Sequence, residues 1–309
     1  MAHCSSDVFE DLQKLIYDHC SLRFSPSRLN GLKTYLSERM HRRELSSLED
    51  YYRLLRRDNE EFDALVNGIT TKETYFFRLP DQFKAITSLV IPRIEQRLLQ
   101  DAQRVITKQG WSGPRIIPFR IWSTGCATGE EPYSIAMTIL EGLRYPKAWK
   151  VDIMASDISR EAVTTACTGR YESDVLKRIP VQYQKRYLRQ SNGSAVMGDD
   201  LRERIAFRIF NLRNLAPRRG CPCTFTKLDG TSDMIDLHEY FDIVFCRNVM
   251  IYFDFAAQQQ LIDRLYACLK PGGYLFTGDA ELLHIYQHRF QTLECEGAYF
   301  YHKPEGQPC

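Results

Sequence analysis

A glycine-rich loop is the first feature of the sequence that could do chemistry. Residues 125–132 read GCATGEEP and stand between a short apolar run and a helical pattern, which is typical of a ligand-binding loop in an α/β fold. Gly125 and Gly129 would let the backbone approach a ligand closely. Glu130 and Glu131 would lie at the helix N-terminus, where their carboxylates would repel a phosphate. The loop therefore favours a ligand that carries an ammonium group.

Asp157 is the second candidate, because it directly follows the apolar run VDIMAS (151–156). In open α/β sheets an acidic residue at this place receives the hydroxyls of a ribose. The alternative is that Asp157 caps the helix predicted for SREAV. Loop and acid occur in the order expected of a nucleoside site, which favours the ribose. A ligand with a ribose and an ammonium group but no phosphate is S-adenosylmethionine.

The motifs of the chain resemble those of the CheR family, the chemotaxis receptor methyltransferases that esterify receptor glutamates. The matching stretches follow the family order over most of the chain, and together they are more specific than a generic cofactor loop. They are TTKETYFFR (70–78), WSTGCATGEEPYSIAM (122–137), ASDIS (155–159), NL (211–212), FDIVFCRNVMIYFD (241–254) and LKPGGYLFTGDAE (269–281).

The resemblance implies a role for each matching position. The implied cofactor-binding residues are Lys72, Thr74, Arg78, Gly125, Glu131, Asp157, Asn211, Leu212, Arg247 and Asn248. Of these, Glu131 would hold the methionine ammonium region and Asp157 the ribose, and the last four would line the adenine side and the cleft floor. Arg78 and Tyr252 would flank the methyl group and are the implied catalytic residues. The family often has Asn at the position of Lys72. A contact made through the side-chain amide of that Asn is not available to Lys72, and the loop backbone would have to make it instead.

The chemistry of such a reaction needs little acid–base work. Methyl transfer from a sulfonium is an in-line displacement, and a glutamate acceptor is already ionised near pH 7 because its reference pKa is about 4.3. The protein has to align oxygen, methyl and sulfur and remove water from the nucleophile. Arg78 suits this task as a fork for one carboxylate oxygen, and Tyr252 as a neutral donor or ring wall. The alternative for Arg78 is a structural ion pair with Asp81.

Two further groups follow predicted strands. Arg247 and Asn248 stand at the carboxyl end of the run FDIVFC, where open α/β sheets bind ligands. The alternative is an ordinary buried strand that leads into a helix. Asp279 and Glu281 follow the next strand, and we expect them to be solvated loop charges.

The elements that must position these residues divide the chain into an all-α part and an α/β part. Apolar residues recur at helical spacing from 8 to 67, which predicts an all-α N-terminal domain over 1–80 that serves receptor recognition. A linker helix from about 81 to 103 and a loop occupy 81–118. Beyond 118, short apolar runs alternate with helical stretches and predict a mostly parallel sheet.

The fold class expected from these elements and the resemblance is α/β. It comprises a Rossmann-like S-adenosylmethionine-dependent methyltransferase domain over 119–309, preceded by the all-α domain. Between about 170 and 208 the shorter runs YQKRYLRQ, SAVMG and RIAFRIF predict a small antiparallel β insert.

Composition excludes several classes of protein. The 309 residues are 44% hydrophobic and 26% charged, which excludes disorder as the dominant state, and a net charge of +2 is too balanced for nucleic-acid binding by bulk charge. The N-terminus lacks signal-peptide features, and no apolar run approaches the length of a membrane span, so we expect a cytoplasmic protein without membrane insertion. The ten cysteines are expected to be reduced. Cys221 and Cys223 could form half of a metal site, but no second pair follows, and no metal is expected.

A local excess of positive charge marks the N-terminal helices. Nine basic and four acidic residues lie between 23 and 57. Two groups, Arg39 with Arg42 and Arg43, and Arg53 with Arg56 and Arg57, repeat one helical spacing. With the resemblance, this face is expected to attract the glutamate-rich cytoplasmic helical region of methyl-accepting chemotaxis receptors; the alternative is a merely solvated face. The enzyme is expected to be a monomer that leaves S-adenosylhomocysteine as product.

Two other functions remain open at this point. A nucleic-acid methyltransferase would share the cofactor fold, but enzymes that act on amino groups carry an Asp/Asn-Pro-Pro-aromatic turn where this chain reads CRNVMIYF. A sensor or scaffold would bind S-adenosylmethionine without turnover. The presence of both Arg78 and Tyr252 favours a protein-glutamate O-methyltransferase over the sensor or scaffold.

Overall fold

The computed structural model describes residues 3–70, 73–109, 116–191 and 193–305. Four helices open the chain: α1 His3–Cys20, α2 Pro26–Arg42, α3 Leu48–Leu55 and α4 Asn59–Ile69. Local chemistry sets two of their starts, since the side chains of Ser47 and Asp58 accept the backbone N–H groups of Asp50 and Glu61. The helical periodicity from 8 to 67 is confirmed.

A buried charge cluster holds this N-terminal bundle together. The carboxylate of Glu61 is fully buried and accepts hydrogen bonds from Arg39 (Nε, 2.8 Å), Arg43 (Nε, 2.5 Å) and the Tyr51 hydroxyl (2.8 Å). Burial alone would raise the pKa of Glu61, but these hydrogen bonds outweigh it and hold the pKa below its usual value. Leucines and isoleucines such as Leu12 pack around the cluster. The bundle therefore depends on a polar contact inside an apolar core.

The remaining helices flank the sheets. They are α5 Pro80–Ala85, α6 Ile91–Gln109, α7 Glu130–Gly142, α8 Arg160–Thr168, α9 Ser173–Leu176, α10 Val181–Tyr187, α11 Asp199–Arg202 and α12 Phe255–Cys268. A π-helical turn, Ile86–Val90, joins α5 to α6, so the helix predicted from about 81 to 103 starts one residue earlier and extends to Gln109. Within the predicted linker loop, residues 110–115 lie outside the described residues.

Twelve strands occur in the described ranges. They are β1 Ile117–Ser123, β2 Trp149–Asp157, β3 Arg170–Glu172, β4 Leu188–Ser191, β5 Ser194–Met197, β6 Ile205–Ile209, β7 Cys223–Thr226, β8 Ser232–Ile235, β9 Phe241–Cys246, β10 Leu269–Thr277, β11 Gln291–Cys295 and β12 Ala298–His302. Nine of them form one sheet in the order β11-β12-β10-β9-β1-β2-β6-β7-β8. The five central neighbours, β10 to β6, pair in parallel, and both edges are antiparallel. The mostly parallel α/β sheet is confirmed.

Both faces of the sheet are covered, as a central parallel sheet requires. Alternate residues of β1 show this, because Ile121 belongs to the core formed with α6 and α7, whereas Trp122 belongs to the core formed with α12. The carboxyl ends of β1, β2, β6 and β9 therefore open at one edge, between two layers of helices.

The small antiparallel sheet has the order β3-β5-β4 and lies in the predicted insert. The expectation that RIAFRIF belongs to it is wrong, since β6 pairs in parallel with β2 in the main sheet, with Ile205 beside Ile153 and Ile209 beside Asp157. The run is apolar enough to lie beside a central strand, and its period alone does not reveal its partner. The antiparallel strands of the insert thus end at Met197.

The N-terminal helices dock against the carboxyl edge of the main sheet. The Tyr17 hydroxyl donates to Asp254 (2.8 Å), and the side-chain amide of Asn211 donates to the carbonyl of His19 (2.7 Å). Arg213 adds a hydrogen bond to the Ser21 hydroxyl (2.9 Å). These contacts bring α1 to the side of the sheet where ligands bind.

Among the described helices, none has both the length and the apolar character to cross a bilayer.

Replacing Glu61 with Gln is expected to destabilise the protein by about 2–3 kcal/mol at neutral pH, because the arginines lose a buried carboxylate. Because folding lowers the pKa of Glu61, its ionised carboxylate stabilises the protein fully above the pKa of about 4.3 that it has in the unfolded chain. This stabilisation is lost as the pH falls through the lower pKa of Glu61 in the folded protein. The difference between wild type and E61Q in urea titrations should therefore shrink on acidification. The exposed neighbour Glu60 provides the control, since E60Q should stay within about 0.5 kcal/mol of wild type. A pH-independent difference would contradict this account.

Candidate active site

One cavity at the carboxyl edge of the main sheet contains all the predicted site residues that the structure describes. Its lining includes Thr74, Arg78, Gly125, Glu131, Asp157, Asn211, Leu212, Arg247, Asn248 and Tyr252. They come from five separate parts of the chain, which the parallel strands and the segment before α5 bring together. Lys72 lies outside the described residues. The cavity also contains Cys20 and Leu22, at and just after the end of α1, which no motif includes, and Thr70, the first residue of the stretch 70–78.

The glycine-rich loop follows β1 and is fixed by backbone contacts to β2. The Cys126 N–H donates to the carbonyl of Ser156 (3.0 Å), and the Ala127 N–H donates to Asp157 Oδ2 (2.9 Å). A Cβ at Gly125 would lie 2.3 Å from a methyl group of Val249, so any other residue there would force Val249 to shift. Gly129 has a φ of 102°, which L-residues rarely adopt. The fold of the loop thus favours glycine at both positions.

Asp157 holds the loop and also lines the cavity. Its Oδ1 accepts the Ser159 N–H and its Oδ2 the Ala127 N–H, each at 2.9 Å. The helix-cap alternative is wrong, because Ser159 is the N-cap of α8 and accepts the N–H of Ala162. Asp157 therefore contacts the loop and the start of α8 from the wall of the cavity.

A buried ion pair lies at the bottom of the cavity. Glu131 accepts a hydrogen bond from the Ser123 hydroxyl (2.7 Å) and lies 3.5 Å from Arg247 Nη1. Burial raises the pKa of Glu131, and the charge of Arg247 and the hydrogen bond from Ser123 oppose that rise. Burial likewise lowers the pKa of Arg247, against the effect of Glu131. Glu130, in contrast, is outside the cavity lining and accepts from the Thr128 hydroxyl.

Arg247 also reaches the segment 73–79, called the arm below. Its Nη2 donates to the backbone carbonyl of Arg78, and its guanidinium lies over the ring of Phe83 at 5.5 Å. Its Nε is buried without a hydrogen-bond partner in the described part of the protein, as is Thr124 Oγ1, and both residues line the cavity. Buried polar atoms of this kind call for a ligand or water partner.

Glu281 supports the turn that carries Arg247 and Asn248. It is 5% exposed and accepts the N–H groups of Asn248 (2.6 Å), Gly278 (2.8 Å) and Ile251 (3.2 Å). The expectation of a solvated charge is therefore wrong for Glu281, whereas Asp279 is exposed as expected. Burial raises the pKa of Glu281, although its backbone hydrogen bonds oppose the rise.

Arg78 has no carboxylate within ion-pairing distance in the ranges described. The alternative of an ion pair with Asp81 is wrong, because Asp81 pairs with Lys84 at 2.7 Å. Instead, Arg78 Nη1 donates to the carbonyl of Glu73 (2.9 Å), and the guanidinium lies 5.6 Å from the ring centre of Tyr75. Its charge is thus available to a ligand at the cavity.

The arm that presents Arg78 is anchored firmly. Phe76 is buried, and the Phe77 N–H donates to the Ser134 hydroxyl of α7 (2.9 Å). Phe77 and Leu79 have φ values of 55° and 59°, in the left-handed region that non-glycine residues rarely occupy. Such strain persists where packing over-determines the backbone, and it is common at functional sites.

Tyr252 lies where the N-terminal helices meet the cavity. The guanidinium of Arg28, from α2, lies over its ring at 4.7 Å, and the N–H of Arg23 donates to its carbonyl (2.9 Å). Asn211 plays a more structural part than its motif implies, because its amide binds the His19 carbonyl and its oxygen accepts the Arg213 N–H (3.0 Å). The cavity wall is thus shared between the sheet and the N-terminal helices.

The basic face of the N-terminal helices is smaller than the spacing indicates. Arg39 and Arg43 face Glu61, and Arg53 pairs with Asp50 at 3.1 Å. The remaining members of the two groups are exposed and have no carboxylate within ion-pairing distance in the described ranges; they are Arg42, Arg56 and Arg57. Pairing across helices, which spacing along one helix does not reveal, accounts for Arg39 and Arg43, whereas Arg53 pairs within α3.

The cysteine pair shows no metal geometry. Cys221 is exposed, whereas Cys223 is buried in β7, and its sulfur accepts the N–H of Ala216 (3.4 Å). Over the described ranges, no cluster of three or more His, Cys, Asp or Glu side chains could hold a metal ion.

Family models match both parts of the chain. Residues 72–221 and 218–299 match the model described as "CheR methyltransferase, SAM binding domain", and residues 7–70 match "CheR methyltransferase, all-alpha domain". The two models together extend over most of the sequence.

Curated relatives agree with the family models. The chain is 31% identical over 283 residues to "Chemotaxis protein methyltransferase 2" of Pseudomonas aeruginosa, which covers 90% of this chain and 88% of that protein. It is 31% identical over 294 residues to "Chemotaxis protein methyltransferase" of Escherichia coli, with 94% and 89% covered. A protein of the same name from Borreliella burgdorferi is 26% identical over 282 residues, with 90% and 89% covered.

Replacing Asp157 with Ala is expected to weaken S-adenosylmethionine binding about 10- to 150-fold, the value of roughly 1.5–3 kcal/mol for hydrogen bonds to a charged group. Isothermal titration calorimetry measures this directly. Asp152 on the same strand pairs with Lys150 and lies outside the cavity lining, so D152A should bind normally. Unchanged affinity in D157A would show that the carboxylate only fixes the loop.

Proposed function

Because the chain belongs to the CheR methyltransferase family, we propose that it transfers methyl groups from S-adenosylmethionine to glutamate side chains of methyl-accepting chemotaxis receptors. The product is a glutamate methyl ester. In this proposal the reaction takes place in the cytoplasm, and residues 1–80 recognise the receptor. The observation that carries the proposal is the cavity itself, where Arg78 has no ion-pairing carboxylate partner in the described ranges and lines the same space as Tyr252 and the family's cofactor residues.

The donor set of the cavity fits S-adenosylmethionine, which supplies an electrophilic methyl group. The Glu131 carboxylate would attract the ammonium group, and the Asp157 carboxylate would accept the ribose hydroxyls. Phe210 and Leu212 provide an apolar wall for adenine, and Phe210 is itself stacked on Phe225 at 4.1 Å. The unpartnered Nε of Arg247 adds a donor at the cavity.

The acceptor needs to be held rather than activated. A glutamate carboxylate is ionised at neutral pH, so no residue has to remove a proton. Arg78 would bind one carboxylate oxygen through its guanidinium and leave the other oxygen to attack. Tyr252, whose ring lies under Arg28, would form the wall that keeps water from the nucleophile. Together these residues supply orientation and desolvation.

Receptor recognition is supported by the contact between the N-terminal helices and the cavity. The guanidinium of Arg28 lies over the ring of Tyr252, so positive charge lies next to the proposed acceptor position, whereas Arg23 reaches Tyr252 only through its backbone N–H and pairs its side chain with Asp254. Arg42, Arg56 and Arg57 extend the positive charge over exposed parts of the bundle. An acidic helical receptor would be attracted to this surface, and salt would weaken the attraction.

The proposed reaction is tested by incubation with S-adenosylmethionine that carries a radiolabelled methyl group, together with receptor-containing bacterial membranes. Treatment with alkali then releases volatile methanol from methyl esters, whereas N-methyl groups stay on the protein. We expect volatile label from the receptor band. Label that resists alkali, or cofactor binding with no label on receptors, would contradict the proposal.

Replacing Arg78 with Ala is expected to lower the transfer rate about 100-fold at saturating cofactor, because a misplaced acceptor loses alignment. Tyr252→Phe should cost no more than about tenfold, since it removes a hydroxyl and keeps the ring. Single-turnover rates measure both. The control is R104A on α6, an exposed arginine paired with Asp101, which should react normally. A near-normal rate in R78A would refute its role.

A further inference from the structure

Two arginine guanidinium groups lie near the ring of Tyr75 at the cavity. The guanidinium of Arg178 lies 4.1 Å from the centre of this ring, and that of Arg78 lies 5.6 Å away. Tyr75 and Arg78 line the cavity, whereas Arg178 comes from the turn after α9 in the insert and is exposed. Two positive groups therefore meet at one aromatic ring beside the proposed acceptor position.

Neither guanidinium has a carboxylate within ion-pairing distance in the described residues. By contrast, two other cations of the insert are neutralised, since Lys177 pairs with Asp174 at 2.5 Å and Arg189 pairs with Asp199 at 2.8 Å. Like charges close together repel, and a cation–π contact offsets only part of that cost. A carboxylate from outside the chain would offset the rest.

The turn that carries Arg178 is held on both sides. Leu176 and Ile179 are buried at 5% and 2% exposure, and the side-chain amide of Gln184 donates to both of their carbonyls, at 3.2 and 2.7 Å. The backbone of Arg178 is thus fixed before any partner arrives, which lowers the entropy cost of binding.

The insert and the arm also pack together. Phe76 meets Tyr171 of β3 with ring centres 4.9 Å apart, and Phe77 meets Tyr183 of α10 at 5.6 Å. These contacts fix the distance between the insert and Arg78. Arg178 therefore belongs to the same rigid unit as the residue proposed to bind the reacting carboxylate.

We propose that Arg178 is a second acceptor-binding residue, which pairs with an acidic side chain that flanks the methylated glutamate. The inference rests on the proposed function. In a helical acceptor, residues three or four positions apart have Cβ atoms about 5–6 Å from each other, so a second acid one turn away would reach the second guanidinium. Arg178 thus selects acceptors that carry paired acidic residues.

The test measures initial methylation rates over a range of receptor-membrane concentrations. R178Q is expected to raise the apparent KM for receptor about threefold to fivefold at low salt, the range of an exposed charge pair, with kcat and cofactor affinity unchanged. R178K should recover most of the loss because it keeps the charge. Added salt should reduce the difference between R178Q and wild type, since exposed charges are screened.

The neighbouring residue provides a matched control. K177Q removes an exposed positive charge one position away, but Asp174 already neutralises that charge, so its KM should equal that of wild type. An unchanged KM in R178Q, an equal rise in K177Q, or a fall in kcat alone would refute the role of Arg178. If wild type forms alkali-labile methyl groups while R178Q behaves normally, this inference fails and the proposed function stands; without such groups in wild type, the proposed function itself fails.

Discussion

The buried guanidinium of Arg247 is the interaction on which the rest of the site depends. It faces Glu131 at the cofactor loop, donates to the backbone of Arg78 in the arm and lies over Phe83. Removing a guanidinium from water is costly, and one carboxylate at 3.5 Å repays the cost only in part. The residue therefore stabilises the assembled arrangement of loop and arm, because separating them would leave a buried charge alone.

The surrounding structure serves to keep that arrangement rigid. Glu281 holds the turn after β9 through the N–H groups of Asn248 and Ile251, and Asp157 holds the glycine-rich loop through that of Ala127. Phe76 anchors the arm from the side of the insert, and Arg28 brings the N-terminal helices to Tyr252. Rigid placement is what the proposed reaction needs, because an ionised acceptor leaves orientation and the exclusion of water as the main tasks.

Much of this could be predicted from the sequence because the signals are local. Helical spacing shows the N-terminal bundle, and the loop at Gly125 followed by Asp157 marks the cofactor edge. Contacts between distant segments could not be predicted in the same way. An apolar run does not identify the strand with which it pairs, so the pattern alone assigns β6 to the insert and not to its place beside β2. The burial of Glu281 and the pairing of Arg39 with Glu61 depend on tertiary packing, whereas the Asp81–Lys84 pair is local, since the two residues are three positions apart on α5.

A crystal structure of the chain with bound S-adenosylhomocysteine would show whether Arg247 joins the cofactor loop and the arm around the ligand. We expect the ribose on Asp157, the amino group beside Glu131 and the sulfur facing Arg78 and Tyr252. Arg247 should still contact both Glu131 and the carbonyl of Arg78. A ligand whose ribose lies away from Asp157, or an arm that has separated from Arg247, would contradict this arrangement.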